Sequence, residues 1–574
     1  MLRYAAVVAG GVCAYYFYRW FLRAQYLNRL RRKVAQRLKF REQQVAELKQ
    51  KVDDVPECVR EEINGLSFED LQRALQDGRF KCFEALRAFQ ERAIAAHEKT
   101  NCVSLFIMES HLWAQKLDRD AETPDFVKPP LFGIPVSIKE CIAVEGYNAT
   151  LGYAQRLDEL SKEDSAIVAQ LKELGAIPFV LTNVPTSMLS FSCENPIYGT
   201  TTNPYNSERT SGGSSGGEGA LIGANGSLLG IGSDVGGSIR IPVHFCGIAG
   251  LKPCSVRLSH HGFFSSVPGR QMVCASPGPM GADVKAVVQY CRSVWSNKWM
   301  HEKDPYIAPV IWNEEEFTSD RKLRIGYYLD DGWFKPTPAL QRAVAESKEI
   351  LERAGHTLVP FELPDINKAM QLFVAGVYVD GGSFLLRNLN QNLPTQNYES
   401  YTRLLSIPAT IRRILGSLLT YISPRSSLLL KGMPMNTSEL REVYAEIDEY
   451  RLKFTNKLKD ANLDALLCPA QVTPAVKHHY PTKNTPTVSY TALYNMLDYA
   501  AGTVNVTNVN EADEEALKGY PETDAFYRMA KASTKNSIGL PVGVQVAAFP
   551  YHEETCLRIL AEIEMAVKKK MDVI

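Results

Sequence analysis

The stretch SGGSSGGEGALIGANGSLLGIGSDVGGSIR, residues 211–240, decides the fold. Eleven of its 30 residues are glycine, against 38 in the whole chain of 574. Glycine loses more backbone entropy on folding than any other residue, so this density indicates a backbone that must bend sharply or approach another group closely. Apolar residues interleave with the glycines, which argues against a flexible linker. No lysine completes a phosphate-binding P-loop, and Ile222 stands where a G-x-G-x-x-G motif needs glycine.

Two serines in this stretch are candidates for catalysis. GGSSG, residues 212–216, matches the G-x-S-x-G nucleophile elbow, but the preceding TTNPYNSERT is polar where the elbow needs a buried strand. Ser238 follows Gly236 and Gly237, whose N–H groups can turn toward one point and hold an oxyanion. Ser238 is therefore a candidate nucleophile.

A serine nucleophile needs a base, and the sequence offers two. His244 lies shortly after Ser238, although a purely structural histidine is the simpler interpretation. Lys139 ends the apolar strand FGIPVSIK and could act as a base if burial lowers its pKa. A solvated charge at the end of the strand remains the alternative for Lys139.

The composition limits the class of function. Lys and Arg together number 64, as do Asp and Glu, so the zero net charge argues against a nucleic-acid-binding protein. The 12 cysteines form no CxxC pair, and no HExxH occurs. Reduced thiols are therefore expected, with no metal and no cofactor.

The N-terminal segment predicts a membrane anchor. Residues 4–22 are almost wholly apolar, long enough for a helix that just spans a bilayer. Four aromatic residues resemble an interfacial belt: Tyr15, Tyr16, Tyr18 and Trp20. A cleaved signal peptide is the alternative, but the following residues offer a poor cleavage site. We expect a single-pass transmembrane helix within residues 1–25. The positive charge that follows predicts a cytosol-facing intracellular membrane, and the endoplasmic reticulum is the expected one.

Residues 26–60 predict a basic amphipathic linker helix. Its apolar residues recur at helical spacing: Leu27, Val34, Leu38, Val45, Leu48 and Val52. These heptads could pair with a second copy, although they are too few to require it. The basic residues could contact anionic lipid: Arg23, Arg29, Arg31, Arg32, Lys33, Arg37, Lys39 and Arg41.

From residue 61 to residue 574, helices alternate with short apolar strands. The strand candidates are residues 131–138, 177–181, 323–329, 356–363, 463–469 and 540–549. Ser67 with Asp70 predicts one helix start, and Ser165 another. This order predicts one α/β domain with a large mixed, twisted β-sheet covered by helices.

Residues 404–433 break this alternation. One helical face is apolar: Leu404, Ile407, Ile411, Ile414, Leu415, Leu418, Leu419 and Ile422. Pro408 suits a first helical turn, and Pro424 ends the pattern. A buried core helix and a helix lying in a membrane surface both fit. The predicted anchor favours the second, a membrane-docking cap.

Two motifs together resemble a known family. Residues 212–242, GGSSGGEGALIGANGSLLGIGSDVGGSIRIP, resemble the signature of the amidase signature family. GIPVSIKE, residues 133–140, resembles the segment that carries that family's lysine. The likeness runs from about residue 60 to NSIGLPVGVQVAAF near the C-terminus. Within this family, the sequence resembles the membrane-bound fatty acid amide hydrolases. Three features carry that closer resemblance: the predicted anchor, the stretch TNVPTSMLSFSCENP and the segment 404–433. Val243 departs from the broad signature, which prefers a smaller residue.

The resemblance implies a Ser-cis-Ser-Lys triad. Carried onto this sequence, Ser238 is the nucleophile, Ser214 is the bridging serine after a cis peptide from Gly213, and Lys139 is the base. The implied oxyanion hole uses the backbone N–H groups of Val235, Gly236, Gly237 and Ser238. Five residues would line an acyl channel: Met188, Leu189, Phe191, Met433 and Phe526.

The implied activity is hydrolysis of fatty acid amides, both N-acylethanolamines and primary amides, and also of esters. Neutral Lys139 would take a proton from Ser214, and Ser214 one from Ser238, which attacks the carbonyl and forms an acyl-enzyme. The resemblance also implies a homodimer, with a lipid amide and a membrane as partners. Two alternatives stay open. One is another amidase, such as the A-subunit of a tRNA-dependent amidotransferase. The other is a catalytically dead, membrane-tethered lipid-binding protein.

Overall fold

In the computed structural model, which describes residues 2–572, an eleven-stranded sheet lies at the centre of the fold. The strands along the chain are β1 (Val103–Phe106), β2 (Pro135–Lys139), β3 (Ile177–Thr182), β4 (Glu194–Asn195), β5 (Gly199–Thr200), β6 (Leu229–Asp234), β7 (Ala249–Lys252), β8 (Ser276–Gly281), β9 (Arg324–Tyr327), β10 (Thr357–Pro360), β11 (Ala465–Pro469), β12 (Ala500–Asn508) and β13 (Pro541–Ala548). The short strands β4 and β5 pair only with each other.

The large sheet is mixed, as the sequence predicts. Its order is β1-β3-β2-β6-β8-β7-β12-β13-β11-β9-β10. Strand β2 runs parallel to β3 and β6, and β9 runs parallel to β10 and β11. The remaining neighbours in this sheet are antiparallel. The strand predicted at 131–138 begins only at Pro135, because Gly133, with φ +74°, forms a turn before it.

Helices cover the sheet. They are α1 (Leu2–Lys51), α2 (Glu57–Asn64), α3 (Phe68–Gln76), α4 (Cys82–Thr100), α5 (Ser110–Ala121), α6 (Ala166–Glu173), α7 (Gly216–Gly223), α8 (Arg240–Cys246), α9 (Val284–Trp295), α10 (Trp299–Lys303), α11 (Glu314–Thr318), α12 (Pro338–Arg353), α13 (Ile366–Val377), α14 (Ser383–Gln391), α15 (Gln396–Ser406), α16 (Ala409–Leu418), α17 (Pro424–Lys431), α18 (Thr437–Asp460), α19 (Ser489–Met496), α20 (Glu511–Ala516), α21 (Ala525–Thr534) and α22 (Glu553–Asp572). The predicted caps are confirmed: Ser67 and Ser165 each accept a hydrogen bond from a backbone N–H in the first turn of α3 and α6.

The N-terminal helix differs from the prediction. One continuous helix, α1, extends from Leu2 to Lys51, where an anchor and a separate linker helix were expected. Within residues 2–572, no helix combines the length and the apolar character that crossing a bilayer requires. The predicted transmembrane anchor is therefore not confirmed. The tyrosine hydroxyls and Arg19 reduce the mean hydropathy of this segment.

The second half of α1 packs on the sheet domain. Leu30 and Val34 are buried in a small cluster that includes Leu157 and Tyr198. The Gln44 amide pairs with the backbone of edge strand β1, at 3.0 Å and 3.1 Å. The apolar face that could have paired with a second copy is thus largely covered by this chain's own domain, and the side chain of Gln44 occupies part of a sheet edge.

Three of the basic residues expected near lipid bind the protein instead. Lys33 forms an ion pair with Asp158. Arg37 donates to Asn148 Oδ1 at 2.5 Å, and Arg41 donates to the backbone oxygen of Val103 at 3.0 Å. The interpretation of these three as lipid contacts is therefore wrong, because their side chains hold α1 against the domain.

Residues 404–433 form three helical pieces and not one helix. They comprise the end of α15, all of α16 and all of α17. Pro408 is the N-cap of α16, and Pro424 begins the first turn of α17. Each proline thus starts a new helix, which agrees with its fixed φ and its missing N–H.

Candidate active site

The candidate base lies where two parallel strands end. Lys139 is the last residue of β2, and Ser233 is next to last in the neighbouring strand β6. Because the carboxyl ends of parallel strands meet at the same edge of a sheet, the two side chains come together. Lys139 is completely buried there.

Lys139 is surrounded by hydroxyl groups. Its Nζ lies 2.7 Å from Ser214 Oγ, 3.0 Å from Ser215 Oγ and 2.8 Å from Ser233 Oγ. Among the described residues no carboxylate forms an ion pair with it. Burial lowers the pKa of Lys139. Since a serine hydroxyl can donate as well as accept, this surrounding can hold a neutral amine.

The loop before α7 carries Ser214 toward Lys139. Gly212 and Gly213 adopt φ of +88° and +57°, a region that favours glycine. A Cβ on Gly213 would also lie 3.0 Å from the backbone oxygen of Ser238 and 2.6 Å from Pro242 Cδ. None of the peptide bonds between residues 2 and 572 is cis, so the cis peptide implied before Ser214 is not present. The two glycine conformations make the turn instead.

Ser238 lies next to Ser214, in the loop between β6 and α8. The N–H of Ser214 donates to Ser238 Oγ at 3.0 Å, and the N–H of Ser215 donates to the Ser238 carbonyl at 3.2 Å. The structure therefore brings Lys139, Ser214 and Ser238 together. Among these described residues the hydroxyls of Ser214 and Ser238 form no direct hydrogen bond with each other, so the expected proton path is only half formed.

A buried ion pair shapes the loop that carries Ser238. Arg240 contacts both carboxylate oxygens of Asp234, at 2.8 Å and 3.0 Å, and both side chains are closed to solvent. Burial alone would raise the pKa of Asp234, but the Arg240 guanidinium and several N–H donors hold it well below its usual range. Asp234 thus remains ionised and anchors the turn from both ends.

The expected oxyanion hole is only partly available. The N–H of Gly237 donates to Asp234 Oδ1 at 2.7 Å, so this donor is already occupied in this structure. Among the described residues, the N–H groups of Val235, Gly236 and Ser238 have no acceptor. The role of Gly237 as an oxyanion donor stays a prediction, because in this structure its N–H binds Asp234.

His244 has a structural role. Its Nδ1 accepts the N–H of Gly543 at 2.8 Å, and its Nε2 lies 3.1 Å from the Thr473 carbonyl. Burial lowers the pKa of His244 to about 4, so the ring stays neutral. With both ring nitrogens occupied, His244 is not available as the base of Ser238.

An apolar cavity of about 340 Å³ opens onto Ser238, Val235 and Gly236. The five residues expected along an acyl channel all line it: Met188, Leu189, Phe191, Met433 and Phe526. Further apolar and aromatic residues, which sequence reasoning missed, also line it, among them Trp333, Met370, Phe373, Val374, Tyr378, Tyr401, Leu404, Leu428 and Leu429. Four polar residues, Ser190, Thr482, Lys483 and Thr485, line it as well. A long apolar group could lie here with one end at the serine.

Comparison with known proteins agrees with this arrangement. A family model described as amidase matches residues 84–557. The chain belongs to the amidase family. It is 47% identical over 572 residues to fatty acid amide hydrolase 1 of Caenorhabditis elegans, covering 99% of this chain and 100% of that protein. It is 39% identical over 514 residues to fatty-acid amide hydrolase 1 of Sus scrofa, covering 89% and 87%. A solved structure of a fatty acid amide hydrolase superposes with a TM-score of 0.77 at 25% identity, covering 93% of this chain and 90% of that one.

Several residues of this amidase site escaped the sequence analysis. Ser215 and Ser233 complete the hydroxyl shell of Lys139, and Asp234 with Arg240 holds the loop. A signal for the ion pair was present, because DVGGSIR places two opposite charges within a stretch that is otherwise small or apolar. Such charges are rarely buried unless they are paired.

A second buried carboxyl lies near the base. Glu218 of α7 accepts hydrogen bonds from Ser137 Oγ at 2.6 Å and Thr182 Oγ1 at 2.8 Å. Burial raises the pKa of Glu218 to about 8, so the group is mostly protonated at neutral pH. It therefore places little negative charge beside Lys139.

Gly237→Ala should impair the amidase. Gly237 has φ +118°, and a Cβ there would lie 2.4 Å from Thr491 Oγ1, so the loop that carries Ser238 must shift. A displacement of about 1 Å at a reacting group costs roughly 10²-fold in rate. We expect the rate of Ser238 labelling by a fluorophosphonate to fall by about that factor. The matched control is Gly519→Ala, where a Cβ meets nothing within 4 Å. Equal labelling rates for both variants would contradict the prediction.

Proposed function

We propose that this amidase is a membrane-associated serine hydrolase of fatty acid amides, both N-acylethanolamines and primary amides. The observation that carries the proposal is the apolar cavity of about 340 Å³ that ends at the hydroxyl of Ser238 and at the unoccupied N–H groups of Val235, Gly236 and Ser238. Relatives named fatty acid amide hydrolase, similar over most or all of this chain, support the same substrate class.

The proposed reaction begins with proton transfer away from Ser238. Neutral Lys139 accepts the proton of Ser214 Oγ, and Ser214 Oγ accepts that of Ser238. The second transfer needs a hydroxyl contact that tightens when substrate binds, as catalytic hydrogen bonds of unliganded enzymes often do. Ser238 Oγ then attacks the amide carbonyl, and the N–H groups of Val235, Gly236 and Ser238 hold the oxyanion.

The second half of the reaction releases the amine and then the acid. The relay runs backward and protonates the leaving nitrogen, so the C–N bond breaks and an acyl-enzyme remains. Water attacks the ester while its proton passes to Lys139. The bond between the acyl carbon and Ser238 Oγ then breaks, the relay returns the proton to Ser238 Oγ, and the fatty acid leaves. Esters would follow the same path with an alcohol as leaving group. The Lys139–Ser214 contact of 2.7 Å supports an active relay over a catalytically dead lipid-binding protein.

The acyl chain is proposed to occupy the apolar cavity. Helices α13, α15 and α17 contribute Phe373, Leu404 and Leu428 to the wall of the cavity. The inward-facing side of the segment 404–433 therefore forms part of that wall. Complete burial of an aliphatic side chain contributes about 1.5–3 kcal/mol of favourable free energy. Each stretch of an acyl chain of similar length should contribute a comparable amount to binding. This apolar wall supports a lipid substrate over the polar substrate of a tRNA-dependent amidotransferase.

The outer side of the same segment is proposed to dock on a membrane. Ile414, Leu418 and Tyr421 expose 61%, 69% and 96% of their surface. The first half of α1 likewise exposes Tyr16, Phe17 and Trp20, and Arg29, Arg31 and Arg32 follow it. Apolar and aromatic side chains next to basic ones favour the interface of an anionic membrane. The membrane proposed is a cytosol-facing intracellular one, the endoplasmic reticulum, and a homodimer is proposed from the family resemblance.

Ser238→Ala should abolish hydrolysis. The purified protein is expected to hydrolyse a long-chain N-acylethanolamine, and Ser238→Ala to lose at least about 10³-fold in kcat and all labelling by a fluorophosphonate. Ser227→Ala is the control, because Ser227 is buried in the same stretch and only donates to the Leu229 carbonyl. Absence of turnover in the unmodified protein, or unchanged labelling of Ser238→Ala, would refute the function.

The activity should depend on pH through Lys139. Burial lowers the pKa of Lys139, and only the neutral amine accepts a proton, so activity should fall as pH drops through that lowered pKa. Lys139→Ala should lose roughly 10²- to 10⁴-fold at neutral pH and less at alkaline pH, where hydroxide replaces the base. Lys252→Ala, a buried lysine that donates to the Pro253 carbonyl, should keep the original pH profile. A loss in Lys139→Ala that is equal at every pH would indicate a structural lysine.

The double variant Ile414→Asp/Leu418→Asp should bind membranes more weakly. Two charges on the exposed face of α16 cannot enter an apolar phase, so sedimentation with phosphatidylcholine vesicles should fall by at least about tenfold. The control is Leu452→Asp on α18, whose leucine is exposed to a similar 62%. Equal vesicle binding by both variants would show that this face does not dock.

A further inference from the structure

Lys139 becomes an ammonium group during the proposed reaction, and its hydrogen-bond partners among the described residues carry no negative charge. These partners are three serine hydroxyls and one backbone carbonyl. The carboxylate of Asp234 is already paired with Arg240. A buried charge without a counter-ion is costly, so a further acidic group beside Lys139 would stabilise the protonated base.

Glu218 lies beside Lys139 on the same face of the sheet. Ser137 Oγ, 2.6 Å from Glu218 Oε2, belongs to the residue two before Lys139 in β2, and side chains two apart on a strand point to the same face. Thr182 Oγ1 lies 2.8 Å from Glu218 Oε1, and Thr182 is the partner of Lys139 in the parallel pairing of β2 with β3. Two neighbours of Lys139 within the sheet thus hold the carboxyl of Glu218.

Helix α7 and strand β6 fix Glu218 at this place. Ser215, the residue before α7, lies 3.0 Å from Lys139 Nζ through its Oγ, and Glu218 follows Ser215 by three residues. Residues three apart on a helix are neighbours, about 5–6 Å between their Cβ atoms. Gly230 of β6 leaves space for the carboxyl, because a Cβ there would collide with Glu218 Oε2. The helix and the sheet therefore both place this acid next to the base.

The charge of Glu218 changes close to neutral pH. The side chain is fully buried, and its hydrogen-bond partners among the described residues are hydroxyl groups. Burial raises the pKa of Glu218 to about 8, although the two hydroxyl donors and Lys139 act in the opposite direction. Its position in the first turn of α7 also favours the ionised form. Glu218 is thus mostly protonated at pH 7 and ionises as the pH rises through that pKa.

Other titratable groups around this pair keep their charge near neutral pH, with Glu140 as the exception among the described residues. Asp234 stays ionised in its ion pair. Burial lowers the pKa of Arg92 on α4 to about 10, so Arg92 stays charged. Burial raises the pKa of each nearby thiol, which keeps all four neutral: Cys102, Cys141, Cys193 and Cys246.

We propose that Glu218 is a positioning residue of the amidase whose carboxylate strengthens Lys139 as a base, so that the enzyme reacts faster with Glu218 ionised than with Glu218 protonated. The proposal rests on the proposed function, in which Lys139 accepts the proton of Ser214. A carboxylate beside the amine stabilises the ammonium form, and a stronger base removes a proton faster. Glu218 exchanges no proton with the substrate, because its carboxyl binds only Ser137 and Thr182.

The unmodified enzyme should therefore gain activity in two steps as the pH rises. The first step follows the loss of a proton from Lys139, whose pKa burial lowers. The second step follows the ionisation of Glu218 near pH 8. An opposite charge close by shifts a pKa by about 1–3 units, and part of that shift appears in the rate of proton transfer, so the second step should be roughly 3- to 10-fold.

The test measures the rate of Ser238 labelling by a fluorophosphonate from acidic to alkaline pH. In Glu218→Gln, the amide can still bind Ser137 and Thr182 but cannot ionise. This variant should be labelled as fast as the unmodified protein below the second step and roughly 3- to 10-fold more slowly above it. A merely structural role of Glu218 would lower the labelling rate equally at every pH.

The matched control is Glu140→Gln. Burial raises the pKa of Glu140 to about 7, but its carboxyl accepts the backbone N–H groups of Thr150 and Leu151, at 2.9 Å and 3.1 Å. We therefore expect Glu140→Gln to keep the second step. If Glu140→Gln removes that step and Glu218→Gln keeps it, the coupling belongs to Glu140 and the proposal is overturned.

A second variant, Ser137→Ala, keeps the carboxyl of Glu218 and removes one of its two hydroxyl donors. Loss of a hydrogen bond to the ionised form raises a pKa, so the second step should move to higher pH by roughly one unit. Should Glu218→Gln not fold, this variant decides, and an unmoved second step would overturn the proposal.

The remaining outcomes separate the role of Glu218 from the proposed function. A second step that persists in Glu218→Gln, or a rate that falls equally at every pH, shows that Glu218 does not act through Lys139. Failure of the proposed function has a different signature: the unmodified protein is labelled at Ser238 but hydrolyses no long-chain fatty acid amide. The labelling profiles then still decide the role of Glu218.

Discussion

Asp234 and Arg240 form an ion pair that is closed to solvent, and their remaining polar atoms hold other segments. The carboxylate accepts the N–H groups of Gly237 and Ile239, while the guanidinium binds Gln545 Oε1 at 2.6 Å and Asn495 Oδ1 at 2.6 Å. Breaking such a pair leaves an uncompensated buried charge, which costs about 3–5 kcal/mol. Contacts with a strand and a helix that are distant in sequence therefore hold the turn that carries Ser238 in place.

Three buried ionisable groups lie close together here, Lys139 and Asp234 at strand ends and Glu218 on α7, and their charges follow from their partners. Asp234 has a guanidinium and remains ionised. Lys139 and Glu218 form hydrogen bonds only with hydroxyl and carbonyl groups, and burial favours the neutral form of each. The site can thus keep an unprotonated amine close to an ionised carboxylate, because that carboxylate's charge is already compensated by Arg240.

Local features of this site could be predicted from the sequence, whereas features that depend on distant contacts could not. The glycine-rich stretch and FGIPVSIK make Ser238 and Lys139 candidates, because turns and strand ends are local properties, whereas the role of Ser214 is implied only by the family resemblance. The use of the Gly237 N–H by Asp234 depends on the folded loop, and the hydroxyl shell of Lys139 depends on the pairing of β2 with β6. The amphipathic pattern of residues 27–52 correctly predicts a helix. Such a pattern shows only that one face of the helix is covered, and it does not show which part of a protein or membrane covers that face.

The segment 404–433 shows why the two interpretations of an apolar helix could not be separated by sequence. Leu404, Leu428 and Met433 face the apolar cavity, whereas Ile414 and Leu418 are exposed. A continuous helix has a single apolar stripe, which would face either the protein core or a membrane, but not both. Because Pro408 and Pro424 divide the segment, successive pieces can turn their apolar sides in opposite directions. One short stretch of chain therefore makes both a wall of the cavity and the exposed apolar surface.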